Sequence, residues 1–451
     1  MQFLYSGPGV LQRFARLASW SLVSFALEKG AMIIVIFLLA RILGAEDYGR
    51  LTLAQGLVNS LQIFVVLGVG TVLSRYIPKM REEGVQRAVE IVNLCAIIVM
   101  GTGVLVLLFG LLSAQAIARQ ILDLSSASTV PYWMLAWVIL SAASSLLLTV
   151  MLAFERGRVL GVIAFVGAGL SIVLVPLLAD GLGVAGAIAG LVTVEFVKTI
   201  ALAVAYGCFL QNSGVRIFSP IKRSDMPLLF NFGLPTFLIS ALWGPTMWFA
   251  QIIVKTFAPD GLAAVGVFAF TNNIFGAVIV ISSLTNRAAL PIMASLQARG
   301  AYNTLRRMAW LMASAQAGAA AVIGLPMAIA SPFIMAQAGP EFASVWPVLL
   351  IMIATGVILA GQTALGNYLL VLGKPYFLLG TMVAWTAIVL TVIALSINFG
   401  AYSLAWALLI GAIVRTLIIM MGSKAFADRS SRHEAESLIP TLNLKDAEAQ
   451  L

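Results

Sequence analysis

The chain has 451 residues, of which 61% are hydrophobic and only 10% charged, and its mean hydropathy is +1.03. Soluble domains carry about 25% charged residues, so 27 basic and 18 acidic side chains cannot wet the surface of a soluble protein of this length. Composition excludes a soluble enzyme and points to an all-α integral membrane protein, and the net charge of +9 is too dispersed along the chain to define a nucleic-acid partner.

A membrane-spanning helix needs about 20 apolar residues. Arg13 and Arg16 precede an apolar run that reaches Leu43, too long for a cleaved signal and so read as the first permanent span. Eleven further runs follow, giving spans near 17–41, 51–73, 89–113, 132–154, 159–179, 184–210, 228–256, 262–286, 307–330, 345–371, 376–398 and 401–423. Pro326, Pro332 and Pro340 interrupt the ninth and tenth. The segment Arg75–Arg87 mixes both signs of charge and reads as an interfacial amphipathic turn. Cys95 and Cys208 lie in apolar runs and read as small buried hydrophobes. With His433 as the only histidine and no clustered carboxylates, neither a metal nor another cofactor is expected.

Charge tests the span count. With twelve spans, 20 of the 27 basic residues fall on the side of the termini, 4 on the other side (Arg41, Arg50, Arg119 and Lys255), and Lys29, Lys198 and Arg415 within spans. Cationic loops stay in the cytoplasm, so both termini are expected there and the chain is placed in the cell inner membrane. Every loop is short, which leaves no room for an independent extramembrane enzyme domain.

The two halves repeat. Pro78, Pro131, Gly157, Gly183 and Lys198 have counterparts in Pro291, Pro347, Gly373, Gly400 and Arg415, at offsets of 213 to 217 residues. An even number of spans per half makes the repeat parallel, about an axis along the membrane normal. The expected organisation is a six-helix lobe at 1–210, a cytoplasmic linker at 211–227, a second six-helix lobe at 228–425 and a polar tail at 426–451.

Leu43-Gly44-Ala45-Glu46-Asp47-Tyr48-Gly49 opens the second span, followed by Leu67-Gly68-Val69-Gly70 and Arg75-Tyr76-Ile77-Pro78. These segments resemble the polysaccharide (O-antigen and exopolysaccharide type) flippase family of the MOP transporter superfamily. The remainder of the chain is similar to that family in span count and loop rhythm. The resemblance implies two six-helix lobes around a central cavity lined by spans one, two, seven and eight. The implied cargo is an undecaprenyl-pyrophosphate-linked oligosaccharide, moved from the cytoplasmic to the outer leaflet. Membrane lipids, and other membrane proteins of polysaccharide assembly, are the implied partners.

A pyrophosphate crossing the bilayer needs compensating positive charge, and an ionisable side chain inside a span is a functional candidate. Lys29 and Arg415 are candidate cargo contacts; an internal ion pair or snorkelling are the bland alternatives. Arg41, Arg50 and Lys255, near the outer span ends, are candidates to receive the pyrophosphate, or are headgroup anchors. Gln55, Asn59 and Gln62 form one polar stripe, of which Asn59 and Gln62, with Gln251, Asn272 and Asn273, are candidate sugar contacts; interhelical hydrogen bonding uses the same residue types. Glu28, about 100° around the helix from Lys29, is a candidate for ion coupling, as are Glu195 and Lys198, whose spacing also allows a local pair. H+ movement, Na+ movement and the membrane potential acting on cationic spans are all open as the driving force. Two other readings compete: a MATE-like cation or drug antiporter, which would favour acidic lobes, and a membrane glycosyltransferase or polysaccharide polymerase, which would need longer outer loops.

Overall fold

The computed structural model describes residues 8–125, 128–215 and 234–448; within the helices, side chains are described except at 8–26, 234–236, 239, 277, 280–284, 287–288, 291, 298 and 427–448. The described residues form helices and short connections, without a strand. In chain order these are α1 (Pro8–Val66), α2 (Val69–Glu83), α3 (Val85–Ala116), which ends in a π turn at Ile117–Ile121, α4 (Val130–Ala153) and α5 (Gly157–Asn212). After these come α6 (Leu234–Phe257), α7 (Gly261–Ala298), α8 (Tyr302–Ile329), α9 (Ser331–Ala338), α10 (Pro340–Ala343), α11 (Pro347–Val371), α12 (Pro375–Ser396) and α13 (Ala401–Glu448).

Two helices are each two rods joined at a glycine outside helical geometry. α1 breaks at Gly44 (φ 71°, ψ 178°) and α5 at Gly183 (φ 60°, ψ −139°). Counting the halves separately, the long rods among the described residues are two in α1, one each in α3 and α4, two in α5, and one each in α6, α7, α8, α11, α12 and α13. By length and apolar character alone seven described helices can cross a membrane, or eight if α1 and α2 together make one broken span. The expected interruption at Pro326, Pro332 and Pro340 is a chain of short helices: Pro326 lies inside the end of α8, and α9 and α10 follow as pieces of 8 and 4 residues. The amphipathic turn expected at Arg75–Arg87 lies mostly within α2, which turns 46° from α1 and buries Val69, Val72, Leu73, Ile77 and Met80 along one face.

The internal repeat is written in the backbone. Positive φ occurs at Gly44 and Gly261, Gly84 and Gly300, Asp123 and Gly339, Glu155 and Gly373, and Gly183 and Gly400, at offsets of 217, 216, 216, 218 and 217 residues. The turns after α4 and α11 repeat bond for bond. Phe154 N–H donates to Val150 O and Arg156 N–H to Met151 O, each at 3.0 Å. Leu372 N–H donates to Tyr368 O and Lys374 N–H to Leu369 O, again at 3.0 Å. Each turn then places its cation on an aromatic ring 217 residues from its counterpart: Arg156 lies 5.0 Å from the Phe209 centroid and Lys374 5.1 Å from that of Phe426. This corrects two sequence landmarks. Gly373 is the counterpart of Glu155 rather than Gly157, and Pro291 falls four residues short of the position equivalent to Pro78. Proline recurrence was a weaker guide than turn geometry because an interior helix proline need not occupy the same turn in both copies.

By compactness the chain divides into two units, Met1–Ala269 with Gln337–Glu341, and Phe270–Ala336 with Phe342–Leu451. The first therefore takes in α6 and the start of α7 as well as everything before them. In it α1 packs on α5 and on α6, and α4 on α5, with Met151, Leu160 and Leu202 as one buried cluster. In the second, α11 packs on α8, α12 and α13 around Leu305, Ala309, Leu365, Tyr368 and Leu378. Long exposed apolar side chains such as Leu112, Phe165, Val322 and Met421 cover the outside, as hydrocarbon solvent allows. Cys95 is buried as expected, whereas Cys208 is exposed; its helix, α5, turns that face out of the bundle.

Within the first unit, α1 and α7 cross at their closest at Gly49 and Gly266. A Cβ on Gly49 would lie 2.1 Å from Leu262 O, and one on Gly266 1.9 Å from Ala45 O. The four positions pair by the same offset of 217, so the crossing is symmetric about a local two-fold. The segment Gly44–Gly49 thus has a physical reason for each end: Gly44 ends the first rod, Tyr48 is buried, and Gly49 admits the neighbouring backbone.

Candidate functional site

A polar belt carried by α5 threads the first unit. In the first half of α1, Glu28 forms an ion pair with Lys198 of α5 at 3.4 Å. One turn before Lys198, the Glu195 carboxylate accepts a short hydrogen bond from the Ser144 hydroxyl of α4. On the next turn Thr199 donates to Glu195 O of its own helix at 2.7 Å and has Leu140 O of α4 as a second acceptor at 3.2 Å. In the second half of α1, Gln62 Nε2 donates to Ser141 O at 2.9 Å, and Ser144 Oγ donates to the same carbonyl at 3.2 Å. Lys198 lies 15 residues past Gly183 and Glu28 16 residues before Gly44, so both sit about 22–24 Å along their rods from those breaks. Helix dictates the connection: Glu195 and Lys198 share a face of α5 but diverge, one toward α4 and the other toward α1.

The belt brings Glu28, Glu195, Lys198 and Gln62 together. It corrects the local Glu195–Lys198 pair allowed by spacing, because the long lysine side chain reaches the carboxylate of α1 instead. Lys29 leaves Glu28 as helix geometry requires; it is exposed, with Nζ 3.8 Å from Met32 Sδ. Asn59 is also exposed. Gln251 is buried, and its Oε1 has no hydrogen-bond partner among the described residues.

A second group collects at the end of the unit marked by Gly44. Arg41 is exposed there. Arg50, a candidate for the pyrophosphate or for a headgroup anchor, is bound by Glu46 and Asp47 of its own turn. Lys255 of α6 has a 9% exposed side chain and donates to Asp123 Oδ1 at 2.6 Å and to Gln120 O at 2.8 Å, both in the turn after α3.

The remaining candidates belong to the second unit. Asn272 and Asn273 are half-buried on α7. Arg415 of α13 is half-buried and its Nε donates to Thr381 Oγ1 of α12 at 3.4 Å. Sequence reading missed this unit's polar cluster. Gln316, only 2% exposed, donates to Thr285 Oγ1 at 2.7 Å and Asn286 Oδ1 at 2.9 Å, and accepts from Thr363 Oγ1 at 3.1 Å. A lone glutamine in the apolar stretch of α8 was the available signal. Among the described residues no group of three or more His, Cys, Asp or Glu is placed to hold a metal ion.

Uncoupling the Glu28–Lys198 pair tests whether the belt is held electrostatically. Glu28→Gln with Lys198→Met, measured as a double-mutant cycle on thermal stability in detergent, should give a coupling energy of about 1 kcal/mol for a partly exposed pair. Coupling near zero would mean that the belt is held by its hydroxyl and amide bonds alone.

The fold is similar to that of solved MATE transporters. A multidrug resistance MATE family transporter of the MOP superfamily, in an inward-facing conformation, superimposes with a TM-score of 0.76 at 16% identity, covering 91% of this chain and 99% of that one. An outward-facing structure of a transporter so described gives 0.67 at 15% identity over 93% and 96% of the two chains, and a MATE protein in complex with MaL6 gives 0.68 at 14% over 93% and 97%. No protein of curated function is matched at a significant level by sequence. The polysaccharide biosynthesis protein family model matches residues 14–297, well over half of the chain, and the chain belongs to that family.

Proposed function

We propose that the protein is a flippase that carries undecaprenyl-pyrophosphate-linked oligosaccharide from the cytoplasmic to the outer leaflet of the inner membrane by alternating access. The observation that carries the reading is the polysaccharide biosynthesis family match on a chain with the MATE-type fold. In this reading the twelve long rods are the twelve spans, both termini are cytoplasmic, and the protein is a transporter with no enzymatic step. Cationic cargo contacts fall to Lys29 and Arg415, with Arg41, Asn59, Asn272 and Asn273 along the sugar path. Glu195 has a hydroxyl rather than a cation as its recorded partner, which suits a carboxylate that takes up and releases a proton or Na+ inside a bundle. The alternative drug or cation antiporter draws on the same fold but would leave the cationic Lys29 and Arg415 without a role.

The discriminating experiment uses a deletion strain complemented with the wild type, Lys29→Ala or Arg415→Ala. Surface polysaccharide should fall at least tenfold in the variants, with lipid-linked oligosaccharide accumulating on the cytoplasmic leaflet and drug resistance unchanged. Unchanged polysaccharide together with altered drug resistance would replace this reading by the antiporter.

A further inference from the structure

We propose that the Gly44 end of the first unit is a gate, closed in this structure by two reciprocal clasps that the internal repeat exchanges between its copies. The proposal rests on the alternating-access reading above and assigns residues to one of its closures.

The first clasp is Lys255 at the end of α6, seated on Asp123 and Gln120 of the turn after α3. The second is Glu341 of α10, whose Oε2 accepts from Ala45 N–H at 2.7 Å. Ala45 begins the second rod of α1, so a carboxylate there also meets the positive end of a helix dipole. Both clasps lie inside one compact unit. The exchange follows from the repeat. The turn at Asp123 is the counterpart of the turn at Gly339, two residues before Glu341, and the turn at Gly44 is the counterpart of the turn at Gly261, six residues after Lys255. Each copy therefore sends its post-α3 or post-α8 turn to the other copy's first turn.

Between the clasps lies the Gly49–Gly266 crossing, on the local two-fold itself. A backbone contact of this closeness excludes water and cargo. It holds only while the clasps keep the two rods from sliding apart. The clasps differ in kind from the crossing. They use charge and a single helix end, which water can replace, so they are suited to making and breaking; the glycine contact is suited to sealing. The two further carboxylates of that first turn, Glu46 and Asp47, are bound by Arg50. The same contacts admit a purely structural reading, a permanent strap, and the test separates the two.

The test uses the full chain in its membrane, with Cys95→Ala and Cys208→Ala as background and Asn59→Cys as reporter. Asn59 is ten residues past Gly49, about 15 Å below the crossing. A membrane-impermeant maleimide applied to intact cells should label the reporter slowly, and applied to inverted vesicles should label it readily. Adding Lys255→Met and Glu341→Gln should raise labelling of intact cells about tenfold, with unchanged protein in the membrane. Exchanging the first pair, as Asp123→Lys with Lys255→Asp on the intact Glu341 background, should return most of the protection. Unchanged labelling in the double variant, or equal labelling from both sides in the parent, would overturn the gate. Loss of folded protein in the double variant but not in the exchanged pair would assign the contacts to a permanent strap and overturn it as well. None of these readouts needs cargo, so they stand or fall apart from the Lys29 and Arg415 experiment.

Discussion

Gly49→Ala is expected to cost about 3 kcal/mol of stability, at the upper end for an overpacked interior, and Gly266→Ala the same or more. The reason is the identity of the atom met. Each added methyl would approach a backbone carbonyl oxygen, Leu262 O at 2.1 Å or Ala45 O at 1.9 Å, and a carbonyl held in the first turn of a helix has no rotamer by which to retreat. The rods must separate, and the packing on both sides of the crossing loosens with them. Gly101→Ala and Gly167→Ala provide the control, since a Cβ at either position meets nothing within 4 Å. Those changes should be neutral or stabilise slightly, by up to about 1 kcal/mol, because alanine is the better helix former. Thermal unfolding of the four detergent-purified variants checks this. Equal stability across the set would mean that α1 and α7 do not cross at these glycines.

The second large effect is expected at Gln316. Gln316→Leu keeps the volume approximately but removes an amide that serves three partners; Thr363 keeps its bond to Ala360 O at 2.8 Å and Thr285 is exposed, so the cost falls on the half-buried Asn286. An orphaned buried polar group costs about 1–3 kcal/mol, and a net loss of about 2 kcal/mol is expected. The double change Gln316→Leu, Asn286→Leu removes the orphan with its partner and should recover at least half of it. If the single variant is as stable as the wild type, water fills the site and the cluster is not a dry one.

The membrane class and helical architecture were legible because they follow from quantities a sequence carries openly. Apolar run length sets the rods, and Arg13, Arg16 and the other basic residues bracket them. The repeat was legible in outline, through Gly183 and Gly400 and through Lys198 and Arg415, because special backbone geometry and mid-span charge are both rare. Register within the repeat was not. Glu155 holds the left-handed turn that glycine holds in the other copy, and nothing in the letter Glu announces that conformation. At the site, Glu28, Lys198, Glu195 and Gln62 were identifiable as polar residues in apolar surroundings. Their pairing was not, since helical spacing constrains neighbours on one rod and says nothing about which rod lies opposite. The same limit hid the clasps: Lys255 and Asp123 are 132 residues apart and Ala45 and Glu341 are 296 apart.

The two copies also differ at one place that matters for motion. Where α1 ends at Leu67 and Gly68 and α2 turns off by 46°, α7 carries on as one unbroken helix of 38 residues, about 57 Å long. Duplication supplied two matching skeletons, and this bend gave them unlike feet: one ends in a short skid with a greasy underside, the other in a single long rod. In the alternating-access reading proposed above, that inequality gives the cycle a leading partner and a following one, so load on the long rod and grip of the skid become separate handles on turnover.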